Sequence, residues 1–146
     1  MTLAELLEAA RSSLDRVGAG ELYELVAAGR ALVLDSRTPT DRELYGCIPG
    51  SIHTPRTVLE WRIAMDAPLR IAEVTSYDQL IVVVCNEGLS SSLAASTLQT
   101  LGFHRATDLI GGVLAWRDAG LPLVNPSDDD IGVRCDSPDT PIPASI

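Results

Sequence analysis

The sequence predicts a three-layer α/β/α domain, with a central parallel sheet of about five short strands covered on both faces by helices. Short apolar runs alternate along the chain with segments of helical periodicity, the arrangement of a parallel sheet with crossover helices. The apolar runs lack the polar alternation of a half-exposed sheet, so their strands must be buried on both faces. At 146 residues the chain is long enough to bury one sizeable core without disulfides or metal. With 46% hydrophobic but only 4% aromatic residues, that core must be mainly aliphatic.

The elements follow in order. Thr2 caps a first helix running to about Arg11, with Glu5 completing a capping box and Leu3, Leu6, Leu7 and Ala10 on one face. A short strand is expected around Arg16 and Val17, then a helix over Glu21 to Ala28 that Gly29 ends. Strands are expected at Ala31 to Asp35, near Ser51 to Thr54, at Leu80 to Val84 and near Ala106 to Leu109, with helices at Val58 to Met65, Ser90 to Leu101 and Gly112 to Ala119. The chain then divides into a helical extension (1–14), one domain (15–124) and an acidic tail (125–146) rich in Asp, Pro and Ser. Such a tail cannot bury enough apolar surface to fold alone, and reads as a flexible or surface-draped extension that Ile131 and Val133 could pin.

Charge and composition exclude several classes. The net charge is −9 and the chain has no lysine, its eleven cations being arginines scattered singly from Arg11 to Arg134. A nucleic-acid surface would need a clustered basic stripe. No apolar stretch approaches the ~20 residues of a membrane span, and no basic segment followed by an apolar one marks a secretory signal. Three cysteines, an odd number without a Cys-x-x-Cys pair, argue against a disulfide framework or a zinc site, and point to a reducing, cytoplasmic location.

Cys85 is the most informative residue. It closes the run LIVVV and opens NEGLSSSLAASTLQTLG, so it sits where a buried strand hands over to a helix. There the peptide N–H groups that follow and the positive end of the helix dipole favour thiolate over thiol, and thiolate is the nucleophile. Gly88 lets the backbone turn, while Ser90, Ser91 and Ser92 can cap the helix and offer hydroxyl donors. Asn86, Glu87, Gly88, Leu89, Ser90 and Ser91 thus form a candidate anion cradle. A cysteine phosphatase ends this cradle in an arginine six residues after the cysteine, to gather charge on the transferring phosphoryl group; here that position is Ser91.

Four stretches, in order, resemble the rhodanese (sulfurtransferase) family. ALVLDSR (Ala31 to Arg37) is similar to its strand with an Asp-x-Arg ending, GCIPGSIHTP (Gly46 to Pro55) to its Gly-His-Ile-Pro-Gly-Ala segment, and CNEGLSS to its persulfide loop. LIGGVLAWRDAGLPL (Leu109 to Leu123) resembles its Gly-Gly, Trp, Gly-x-Pro finish. The resemblance implies a sulfurtransferase in which Cys85 takes a sulfane sulfur from a small donor and passes it to a thiol or other nucleophilic acceptor, either of which could be a protein. It implies no metal and no organic cofactor. The rival readings are a cysteine-based phosphatase or arsenate reductase, and a catalytically weak module of the same family used for binding or regulation.

Several other residues carry two readings each. Asp35 and Arg37 form an internal ion pair that fastens the next turn or, as the resemblance implies, brace the loop. Arg56 and Arg62, with Trp61 between them, are a solvated helix face or anion-attracting groups reaching over the site. Cys47 stands where the family usually has histidine, as a packing residue or a resolving thiol for Cys85; Cys135 could do the same or nothing. His53 and His104 read as locally hydrogen-bonded, and Gly111, Gly112 and Trp116 as close backbone approach and core packing. Glu87 puts a carboxylate in the cradle. At about 5 Å from sulfur it costs of order 1 kcal/mol even in a water-like dielectric, which disfavours thiosulfate and favours a thiol persulfide or a protein as donor.

Overall fold

The computed structural model describes residues 1–126 and 130–135. Four parallel strands form one sheet in the order β2-β1-β3-β4: β1 (Leu32–Asp35), β2 (Ile52–His53), β3 (Ile81–Val84) and β4 (Thr107–Asp108). β1 and β3 lie in register from Leu32 opposite Ile81 to Asp35 opposite Val84, so their carboxyl ends reach the same edge. The strand expected at Arg16 and Val17 is reduced to one parallel bridge from Val17 to Leu109 beyond β4. The sheet has four strands rather than five because Gly18 already caps the next helix, leaving no room for a ladder.

Every residue of β3 is buried, and successive side chains enter opposite halves of the core. Ile81 and Val83 pack with Leu34, Ile52, Leu59, Ile63, Leu98 and Phe103, while Val82 and Val84 pack with Leu22, Val33, Leu109, Val113 and Trp116. The helices supply those partners in two layers. α4 (Leu59–Ile63) and α5 (Ser90–Thr100) cover one face, and α2 (Ala19–Ala27) and α6 (Gly112–Asp118) the other.

α1 (Leu3–Arg11) starts where Thr2 Oγ1 accepts the Glu5 N–H at 3.1 Å, and packs on α5. Of its apolar face Ala10 is buried and Leu7 half-buried, whereas Leu3 and Leu6 stay exposed. The sequence does not announce α3 (Pro39–Tyr45), because it has no apolar stripe. Thr38 caps it, Pro39 presets its first turn, and it buries the charged Arg42 against Asp35. α4 is shorter than expected, its first turn being a 3-10 turn at Arg56–Val58.

Positions 127–129 and 136–146 of the expected tail lie outside the described residues. Residues 130–135 do not drape freely: they run antiparallel along the exposed edge of β2. His53 N–H donates to Val133 O at 3.1 Å, Gly132 N–H to His53 O at 2.7 Å and Cys135 N–H to Ser51 O at 2.6 Å. This places Cys135 against Cys47, 88 positions away, and the two form a disulfide with Cα atoms 6.5 Å apart. The expectation of a chain without disulfides is thereby corrected, and the location drawn from the cysteine count loses its basis. An odd cysteine number still allows one pair, and only the folded edge shows which residues meet.

Candidate active site

The site is built where β3 ends. Cys85 follows Val84 and is the one free cysteine of the three. Behind it the loop curls back, which Gly88 permits with φ +78°. A Cβ there would come within 2.7 Å of Gly111 N and 2.9 Å of Leu109 O, so the loop packs on backbone and only glycine fits. The amino end of α6 fixes the outward side of the loop, Val113 N–H donating to Cys85 O at 2.9 Å and Leu114 N–H to Asn86 O at 3.0 Å. Gly112 makes this approach possible, since a Cβ on it would overlap both carbonyl oxygens.

With the carbonyls of Cys85 and Asn86 held by α6, donors face the sulfur. Gly88 N–H lies 3.2 Å from Cys85 Sγ and Ser91 Oγ 3.3 Å from it, at the first turn of α5. Burial pushes the Cys85 thiol pKa up. Hydrogen bonds from the Ser91 hydroxyl and N–H, the Ser90 hydroxyl and the Gly88 N–H outweigh it, and the thiol is held below its ordinary value.

A polar network underlies the loop. Ser91 Oγ and Ser92 Oγ each donate to Asp108 Oδ2 at 2.8 Å. Asp108, fully buried at the end of β4, is held by Arg16 at 2.8 Å. Sequence reasoning missed Asp108, Arg16 and Arg11. One signal was available: a carboxylate inside a short buried strand must have a cationic or donor partner.

The sulfur opens onto a cleft of about 350 Å³, lined on one side by Ser36, Arg37, Thr38 and Asp41 and on the other by Cys85, Asn86, Glu87, Leu89 and Ser90. A larger depression of about 500 Å³ lies near Arg30, Leu32, Gly50 and Leu80, at the opposite ends of the strands, and has no nucleophile. Arg37 joins the two readings given for it. It grips the buried Asp35 through two hydrogen bonds, at 2.9 and 2.8 Å, and also donates to Asn86 Oδ1 at 3.3 Å, tying β1 to the loop. The Arg37 and Arg42 guanidiniums overcome the effect of burial and hold the Asp35 carboxyl below its ordinary pKa.

Arg56 and Arg62 do not reach the cleft. Arg56 pairs with Glu60 one turn on at 2.8 Å, and Arg62 lies beside Gly132 of the carboxyl-terminal segment. Glu87 is exposed at the rim. Cys47 is bound to Cys135 and is no resolving partner for Cys85. His53 is buried with Nε2 3.1 Å from Arg37 O, while His104 pairs with Asp78 at the surface. Among the described residues no three His, Cys, Asp or Glu side chains converge to hold a metal ion, and no helix is long and apolar enough to cross a membrane.

A parallel α/β sheet with a free cysteine cradled at the carboxyl end of its central strand defines a class, and comparison with known proteins gives it a family. The rhodanese-like domain model matches residues 18–119, and the chain belongs to that family. It is 33% identical over 95 residues to a sulfurtransferase of Allochromatium vinosum, covering 65% of this chain and 79% of that one. The human single-domain sulfurtransferase TSTD1 superposes with a TM-score of 0.62 at 28% identity, over 70% of this chain and 95% of that one. A Rhodopseudomonas palustris protein of unknown function, described as a possible tyrosine phosphatase, superposes with a TM-score of 0.77 at 33% identity, over 84% and 94%.

Proposed function

We propose that the protein moves sulfane sulfur through a persulfide on Cys85, with a thiol-bound persulfide, free or carried on a protein, as the preferred donor. The observation that carries this reading is the free Cys85 sulfur facing the cleft, with the Gly88 N–H and the Ser91 hydroxyl within 3.3 Å of it. The Cys85 thiolate attacks the outer sulfur of the donor. The donor's sulfur–sulfur bond breaks, its inner sulfur leaves as a thiolate with the bonding pair, and Cys85 holds the persulfide. The loop donors hold the negative charge on sulfur in both states. An acceptor thiolate then attacks the outer sulfur and releases Cys85 as thiolate, so the cycle is ping-pong and needs no external oxidant.

The cleft favours this donor class over thiosulfate. Among the described residues the one arginine lining it, Arg37, is engaged by Asp35, while Asp41 and Glu87 stand at its walls. A dianion entering there meets two carboxylates and an arginine already engaged by a buried carboxylate. The same feature weighs against phosphoryl transfer. The position that would carry a phosphate-binding arginine is the buried Ser91, whose hydroxyl is shared between Cys85 and Asp108.

Intact-mass measurement after incubation with glutathione persulfide, polysulfide or thiosulfate tests the reading. One added sulfur atom is expected, absent in Cys85→Ser, with faster loading from the thiol-bound donor. No added sulfur from any donor, or robust turnover of an aryl phosphate that Cys85→Ser abolishes, would overturn it.

A further inference from the structure

Two of the groups that hold the Cys85 loop from behind come from outside the span that matches the family. Arg11 ends α1 and Arg16 follows it, both ahead of residue 18. Arg11 Nη2 donates to the Gly88 carbonyl at 2.8 Å and its Nε to Ser92 Oγ at 2.9 Å. Arg16 Nη2 donates to the same carbonyl at 3.0 Å, and its guanidinium grips Asp108 through Nε–Oδ1 at 2.8 Å and Nη2–Oδ2 at 3.2 Å. Neither arginine lines the cleft, so neither meets a substrate.

Both act on the residue with the most freedom to move. Gly88 aims its N–H at the sulfur while its own carbonyl is pinned by two guanidiniums. Glycine has the widest choice of backbone angles, so an unpinned Gly88 would lose that aim most easily. The second route runs through Asp108. Ser91 has a single hydroxyl proton and two claimants for it, Asp108 Oδ2 at 2.8 Å and the sulfur at 3.3 Å. When Cys85 is a thiol, S–H donates to Ser91 Oγ and Ser91 donates to Asp108. When Cys85 is an anion, the Ser91 hydroxyl turns to sulfur, and Asp108 keeps the Ser92 hydroxyl and two Arg16 N–H groups.

We infer that Arg11 and Arg16 are positioning residues for chemistry at Cys85, holding the Gly88 peptide and, through Asp108, the Ser91 hydroxyl in the orientation that stabilises a sulfur anion. As a role in sulfur transfer this rests on the function proposed above. The charges around the site give Arg11 a further part. Asp35 is matched by Arg37 and Arg42, and Asp108 by Arg16, while Asp41 and Glu87 face the cleft. Arg11 makes no ion pair among the described residues and adds a positive charge behind the loop, opposite in sign to those two carboxylates.

The test uses the full chain with its disulfide intact, and follows alkylation of Cys85 by iodoacetamide, a neutral reagent, as a function of pH. Arg11→Met keeps the aliphatic stem and removes both donors and the charge. It is expected to move the midpoint to higher pH and to slow alkylation near neutrality about three- to tenfold, with Arg11→Lys, which keeps the charge, in between. Arg16→Met leaves Asp108 buried and unpaired and is expected to lose stability; the double variant with Asp108→Asn removes that penalty and should still show a raised midpoint. Arg11→Lys and the double variant keep the idea open to refutation if Arg11→Met does not fold. Midpoints unmoved in variants whose melting temperature is unchanged would overturn the positioning role. Alkylation requires no sulfur donor, so a chain that takes no sulfur yet shows these shifts would overturn the transfer reading alone.

Discussion

Cys85 sits at the meeting point of three backbone devices: the end of β3, the turn at Gly88 and the amino end of α5. Against an opposing burial effect, hydrogen bonds hold its pKa below the ordinary thiol value, so removing single donors should be visible in the thiol titration. Cys85→Ser is expected to abolish sulfur loading with the fold retained, checked by intact mass and circular dichroism, because the hydroxyl has a similar size but little nucleophilicity at neutral pH. Glu87→Gln should raise kcat/KM for thiosulfate more than for a thiol-bound donor, since the repulsion removed scales with donor charge and a rim carboxylate acts most at low ionic strength. Measuring both donors at two salt concentrations separates that outcome from an equal change, which would show that the Glu87 charge does not set donor choice. Gly112→Ala places a Cβ on the carbonyls of Cys85 and Asn86 at a φ of +66°. It should cost about 1–3 kcal/mol in backbone strain and more in displaced contacts, and release the loop, read as a lower melting temperature together with a raised Cys85 pKa.

At the scale of elements, α3 and β1 are joined by charge rather than by apolar packing. Asp35, at the end of β1, holds Arg37 at 2.8 Å and Arg42 of α3 at 3.2 Å, all three buried. Such a group is costly to leave half-made. Asp35→Asn removes the negative charge that two buried guanidiniums share and is expected to destabilise the fold by about 3–5 kcal/mol in urea titration, and to loosen the Asn86 side of the loop through Arg37. The pH dependence follows from the direction of the shift. The Asp35 carboxyl ionises at lower pH in the folded chain than its ordinary value of 3.8, so its stabilising contribution is full above that value. It is lost as pH falls through 3.8 toward the folded value, and acid unfolding of Asp35→Asn should be correspondingly less steep.

Over the whole molecule, the Cys47–Cys135 bond closes a loop of 88 residues that contains Cys85 with its cradle and three of the four strands. Constraining a loop of that length in the unfolded chain is worth about 4–5 kcal/mol in a chain-entropy account. Reduction, or paired Cys47→Ser and Cys135→Ser changes, should therefore lower the melting temperature. The same segment covers the edge of β2 with backbone hydrogen bonds, so it also closes a ladder that would otherwise be open to pairing with another chain. Sulfur loading at Cys85 should persist in the reduced or double-serine protein at temperatures where it stays folded, because neither cysteine lines the cleft. Loss of loading there would tie the disulfide to the chemistry.

The features legible in the residues alone are local. The apolar runs at 32–35 and 81–84 could form only buried strands, Thr2 and Gly29 bounded their helices through capping and turn preferences, and Cys85 with Gly88 and the serines spelled a strand–loop–helix cradle. These features depend on neighbours within a few residues, which periodicity records. What tertiary structure decided was which distant polar groups meet. Arg11, Arg16 and Asp108 converge beneath the loop across more than 70 positions, Cys135 finds Cys47 only after residues 130–135 lie along β2, and α3 forms around a buried arginine that no apolar stripe announces. A charge or a thiol looks the same in sequence whether it faces water or a partner, and the choice is made by the desolvation and geometry of the packed chain.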